Sequence, residues 1–226
     1  MSNECSSWDL IEQNEFELAC KKAEEEYIDT KSEFHLRNKN IALLNLKKYN
    51  EVLETAKEII EITNGKSDSD YIVAGISSWL VGDKREAIQI WKDGLNAPYT
   101  DAAGGVEVPL LLYFASVILS NESLEKEATN LLKKKYKSRK STNFPGAIAG
   151  YVLGRINEEE MLDICSEMLA LKNRAMCKAY FYIAAKNLKC GNKIQYFENL
   201  QKCVKHKNYL EEEYFLAVEE LERSNK

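Results

Sequence analysis

The stretch YIVAGISSWLVGDKREAIQIWKDGL, residues 71–95, decides how this chain folds. Tyr71, Ala74, Gly75 and Ser78 recur at offsets of 0, 3, 4 and 7, the spacing of one helix face. Gly82-Asp83 interrupts the pattern as a turn, and Ala87, Trp91 and Gly94 resume it at helical steps. Ser67-Asp68-Ser69 offers caps and early acid before the first helix, and Pro98 closes the unit. A small side chain at Gly75 lets the two helices approach closely. The same small position recurs at Ser116, Ala149 and Ala184, in steps of 41, 33 and 35 residues. Periods of roughly 34 residues mark stacked helix–turn–helix units.

The pattern extends in both directions. Upstream, Leu36, Ile41, Leu43, Leu44 and Leu46 precede a turn at Lys47–Asn50, and Val52, Leu53, Ala56, Ile59, Ile60 and Ile62 follow it. Asn64-Gly65 then ends the helix with a left-handed cap. Asn40 stands at the small position of that unit. Before it, Ser6-Ser7 caps a helix bearing Trp8, Ile11, Phe16, Leu18 and Ala19, with a break at Gln13-Asn14. Downstream, Ser116 pairs with Ala128 and Leu132, Ala149 with Met161 and Cys165, and Ala184 with Leu200 and Cys203. Residues 208–222 form a last amphipathic helix whose acidic side, including Glu211, Glu212 and Glu213, reads as a solvated face that shields the end of the array.

The succession Tyr71, Ala74-Gly75, Ser78, Gly82-Asp83, Ala87, Trp91, Gly94, Pro98 resembles a tetratricopeptide repeat. That resemblance implies an all-α fold: a right-handed α-solenoid of about five TPR-like hairpins with terminal capping helices. It would form one domain over residues 1–226, with an acidic helical segment at 1–33, repeats at 34–206 and a capping helix and tail at 207–226.

Residues 1–33 hold ten acids against three lysines, a net −7, more than the −5 of the whole chain. Such a face attracts a basic partner, or is simply a solvated outer surface. With a pI near 5.4, the chain is a poor general nucleic-acid binder. Its one basic cluster, residues 133–140, either touches phosphate or complements a helix C-terminus. The N-terminal residues carry no secretory pattern and no stretch reaches membrane-spanning length, so a cytoplasmic location is expected. The six cysteines include no C-x-x-C pair and read as buried free thiols.

The step from Gly75 to Ser116 is longer than the others, and the surplus falls in residues 97–109. Two prolines and Gly104-Gly105 forbid continuous helix there. The glycine pair could present N–H groups to an anion, but no P-loop Lys-Ser/Thr follows. The segment is either a packed corner, with Tyr99 and Asp101 satisfying local backbone, or a partner contact.

Trp91–Leu95, Tyr99–Glu107 and Pro109–Tyr113 together resemble bacterial tetratricopeptide-like immunity proteins of polymorphic or contact-dependent growth inhibition toxin systems. This second resemblance implies binding, in the cytoplasm, to a cognate toxin C-terminal domain, often a basic nuclease. Glu12, Glu15, Glu24, Glu25, Tyr99, Asp101 and Glu107 are the partner-binding candidates. The alternative is a general repeat adaptor whose open groove is lined by Ile72, Ile76 and Trp79.

Catalysis is not expected. The two histidines, His35 and His206, lie far apart in the chain. No H-E-x-x-H, G-x-S-x-G, P-loop or zinc spacing occurs, so neither a cofactor nor a metal is implied.

Overall fold

The computed structural model describes residues 5–136, 142–206 and 210–224. They form thirteen α-helices and a short 3-10 turn, with neighbouring helices packed in sequence order and no strand among the described residues. The chain divides between Tyr99 and Thr100 into two compact units.

The first unit holds α1 (Ser7–Glu12), α2 (Phe16–Thr30), α3 (Glu33–Asn45), α4 (Tyr49–Ile62), α5 (Asp68–Val81) and α6 (Lys84–Gly94). Ser6 and Asp9 form a reciprocal capping box that starts α1. Asn14, left-handed at φ 61°, makes the break foreseen at Gln13-Asn14. Gly82, at φ 104°, turns α5 into α6, and the Asp83 carboxylate caps α6 by accepting from the Glu86 N–H at 2.8 Å.

Glycine notches set the fit of α5 against α6. A Cβ on Gly75 would stand 2.3 Å from Nε1 of Trp91, and one on Gly94 would stand 2.7 Å from Cβ of Tyr71. Each helix thus receives an aromatic ring from the other where it has no side chain. Trp91 is fully buried, stacks on Trp79 at 5.8 Å and donates its indole N–H to the Ile72 carbonyl at 3.4 Å. Truncating a ring packed in this way costs on the order of 3–5 kcal/mol.

Ile72, Ile76 and Trp79 are all buried, which corrects the expectation that they line an open groove. Ser67 also departs from expectation. It is the residue before α5, but its hydroxyl pairs with Ser69 at 2.8 Å and caps no backbone N–H. The Asp68 N–H goes instead to the Tyr99 carbonyl at 3.0 Å.

The second unit holds α7 (Glu107–Ile118), α8 (Glu122–Lys135), α9 (Gly146–Val152), α10 (Glu158–Ser166), the 3-10 turn Leu169–Leu171, α11 (Lys172–Lys189), α12 (Lys193–Lys205) and α13 (Glu212–Ser224). Val108–Ser116 of α7 are buried on every side, as a helix that is apolar all round must be. α11 is its counterpart, and Phe114 meets Phe181 at 4.7 Å between them. α11 packs against α7, α9, α10, α12 and α13. A stack of hairpins gives a helix partners one and two places along the chain, as α9, α10, α12 and α13 are; the contact with α7, four places back, goes beyond that and makes α11 a hub. A Cβ on Gly150 would stand 2.7 Å from the Tyr136 hydroxyl, so the aromatic-on-glycine device recurs one residue past Ala149.

Three cysteines, Cys165, Cys177 and Cys203, are buried as expected, whereas Cys5 and Cys190 are exposed and Cys20 lies between. Among the described residues, no helix is long and apolar enough to cross a membrane.

Candidate partner surface and a buried ionic cluster

The acid surplus belongs to the first unit. Residues 1–99 carry 19 acidic and 12 basic side chains, and residues 100–226 carry 17 and 19. Glu12 ends α1, Glu15 precedes α2, and Glu24 and Glu25 lie on α2; all four are exposed. Glu24 meets Lys39 at 2.5 Å and Glu25 meets Lys22 at 3.8 Å. Exposed pairs like these are worth little. α2 is 15 residues long, about 22 Å at 1.5 Å per residue, so Glu15 and Glu25 do not converge on one pocket. They form an extended field.

Glu26 is different. It accepts from the Ser7 N–H at 3.0 Å and the Ser7 hydroxyl at 2.5 Å, and faces His35 Nδ1 at 3.0 Å. Burial opposes its ionisation, but the Ser7 hydrogen bonds and the His35 charge outweigh that and hold its carboxyl below the usual range.

Tyr99 stands at the other end of α2, where α2 and α4 end and α3 and α5 begin. Its N–H donates to the Lys66 carbonyl and its carbonyl accepts from the Asp68 N–H, both at 3.0 Å. The ring is 65% exposed. Beside it lies a cavity of about 350 Å³ lined by Glu33, Arg37, Thr63, Lys66, Ser67, Ser69 and Tyr99. Arg37 is already engaged: it grips the buried Asp70 through two bonds of 2.9 and 3.0 Å and reaches Glu33 at 3.5 Å.

Asp101 and Glu107 have internal roles. Asp101 Oδ1 accepts from the N–H groups of Ala103 at 2.8 Å and Gly105 at 3.1 Å, and Oδ2 accepts from Glu107 at 2.9 Å. It therefore folds the 97–109 segment and satisfies the first N–H of α7. The Gly104 N–H goes to the Asp101 carbonyl at 3.0 Å. Neither glycine offers a free donor to an anion, which corrects that expectation. The Glu107 carboxylate is bonded to Lys178.

Lys178 lies at the centre of a cluster that sequence reading missed. Glu211, Glu212 and Glu213 were expected to be solvated, yet Glu211 and Glu213 are 0% and 2% exposed. Lys178 Nζ, itself buried, bonds Glu107 and stands 3.3 Å from Glu211 Oε2 and 3.4 Å from Glu213 Oε2. Arg174 bonds the other oxygen of Glu211, and the Tyr182 hydroxyl donates to Glu213 at 3.2 Å. Carboxylate oxygens of Glu211, Glu212 and Glu213 lie within 4.8 Å of one another, a spacing that suits a metal ion. The Lys178 ammonium occupies the cationic position instead. One signal was present in the sequence: a lysine inside the apolar run Ala175–Ala185 must bring its counter-ions with it.

Four carboxylates face two cations here, and the excess shows in their titration. Burial pushes Glu213 up to about 7 against the pull of Lys178, and burial with the Glu211 charge pushes Glu212 up to about 8. Lys178 moves well upward because Glu107, Glu211 and Glu213 outweigh its own burial. Carboxyls raised in this way bind protons in the folded state that the unfolded chain has already released above about pH 4.5. Stability therefore falls as pH rises through this window towards 8. The expected result is a urea midpoint that drops between pH 6 and 9, and a flatter profile for Glu213→Gln.

The remaining candidates are local. His206 ends α12 and stacks on Tyr180 at 5.6 Å; burial and then Lys172 lower its pKa. Lys133, Lys134 and Lys135 occupy the last turn of α8, where they complement the macrodipole; residues 137–140 of the basic cluster lie outside the described residues. The chain matches no family model and no curated protein.

Proposed function

We propose that the chain is an immunity protein: a cytoplasmic, TPR-like helical-repeat scaffold that binds a cognate toxin C-terminal domain, a basic nuclease, and neutralises it. The observation that carries this reading is the net acidic, largely exposed charge of the first unit, an excess supplied by its first 33 residues. Such a field raises the encounter rate with a basic protein and repels nucleic acid, the toxin's substrate. Binding alone then protects the cell, and no reaction centre is required.

The reading expects a gene for a toxin C-terminal domain immediately upstream of this one, and the direct test is co-expression of the two. The chain should restore growth and bind that domain with a Kd well below micromolar. Charge reversal at Glu12, Glu15, Glu24 and Glu25 should slow association at least tenfold at low salt, with dissociation little changed. Unchanged association rates after all four reversals would remove this face from the encounter.

A further inference from the structure

Among the described residues of the first unit the three most exposed large apolar side chains are Ile28, Phe34 and Tyr99, each at 65%, and Ile62, at 45%, lies at the same end. They belong to the last turn of α2, the first turn of α3, the segment after α6 and the end of α4. Antiparallel packing of successive helices brings these four places to one end of the unit. The cavity lined by Glu33, Thr63 and Tyr99 confirms that α3, α4 and Tyr99 meet there, and the Tyr27 hydroxyl, 3.4 Å from Glu58, ties the end of α2 to α4.

Two features separate this end from ordinary exposed apolar residues. The first is rigidity. The Tyr99 backbone is held on both sides by Lys66 and Asp68, and Phe34 lies against the Arg37 guanidinium at 5.5 Å, which is itself clamped by Asp70. A Tyr99 backbone and a Phe34 ring held in advance lower the ordering cost of binding. The second is the charge around them. Asp29, Glu58 and Glu61 are exposed and Glu33 is half-exposed, against Lys31 and Lys66, because Arg37 is neutralised internally. Aromatic anchors inside a polar rim are the usual anatomy of an energetic hot spot.

We propose that this end of the first unit, centred on Phe34 and Tyr99, is the docking surface for a basic protein domain. The partner's apolar side chains cover the two rings, and its lysines or arginines pair with the acidic rim. The exposed acids of α1 and α2 steer the approach, and this end supplies the contact energy. The inference rests on the immunity reading for the identity of the partner.

The test uses the full chain and, as probe, the toxin C-terminal domain that the immunity reading expects to be encoded immediately upstream. The double variant Phe34→Ser/Tyr99→Ser should bind at least 100-fold more weakly, with a circular dichroism melt within about two degrees of wild type. Leu169→Ser/Ile194→Ser, which removes comparably exposed side chains from the second unit (90% and 77%), should bind as wild type does. Should wild type bind and the Phe34/Tyr99 variant bind within threefold, the docking surface lies elsewhere; this inference falls and the immunity reading stands. Wild type that binds through this end but fails to restore growth keeps the surface and removes the function. Wild type that does not bind overturns both. Sedimentation that shows a wild-type dimer dissolved by the double variant would assign the surface to a second copy of the chain and overturn the basic-partner proposal.

Discussion

Lys178→Met is expected to lower the unfolding free energy by about 3–5 kcal/mol, the range for removing one partner of a buried ion pair. Methionine matches the lysine stem in volume, so the loss is electrostatic. Without the ammonium, Glu107 and Glu213 lose their cation and Glu211 keeps only Arg174. The chain then has two ways to relieve the charge: protonate the carboxylates, or detach the start of α13 from α11. Hydrogen exchange should show the second as early loss of protection over residues 212–217. Adding Glu211→Gln and Glu213→Gln to Lys178→Met should recover much of the lost stability, because neutral amides no longer repel one another. A triple variant as unstable as the single one would mean that repulsion between Glu211 and Glu213 is not the source of the loss.

The second large effect is expected at Gly75. Its Cβ would lie 2.3 Å from the Trp91 indole nitrogen, and Trp91 is wedged between that notch and Trp79. Overpacking of this kind costs typically 1–3 kcal/mol. Gly75→Ala should fall within that range and Gly75→Leu at or above its top. The sign is informative, because in a helix interior alanine is favoured over glycine by about 1 kcal/mol. Urea denaturation gives the measurement, and a melting temperature of Gly75→Leu equal to wild type would contradict the α5–α6 fit. Trp91→Phe in the Gly75→Ala background should restore part of the loss by clearing the space.

The legible part of the fold was whatever local spacing encodes. The α5–α6 hairpin, its Gly82-Asp83 turn and the break at Asn14 follow from residues close together in sequence. What was not legible depends on partners distant in sequence. Glu107 and Lys178 are 71 residues apart and Arg174 and Glu211 are 37 apart, so no periodicity announces that they meet. The acidic triplet looked solvated because consecutive residues on a helix point in different directions. That argument fails at a helix start, where Glu211 precedes α13 and is not bound by its period. Asp101 shows the converse: its candidacy as a contact residue came from its place in a long loop, and its two carboxylate oxygens close that same loop. Tyr99 kept its exposure because it is held by main-chain bonds, which leave the ring free.

The role of α11 bears on how this chain tolerates change in length. A stack in which every rod leans only on the rods beside it can gain or lose a unit through simple duplication or deletion. The second unit lacks that freedom, because one rod, α11, also leans on α7, four places back along the chain. Shortening the chain from its C-terminus should therefore unmake the whole second unit, as pulling a keystone unmakes an arch.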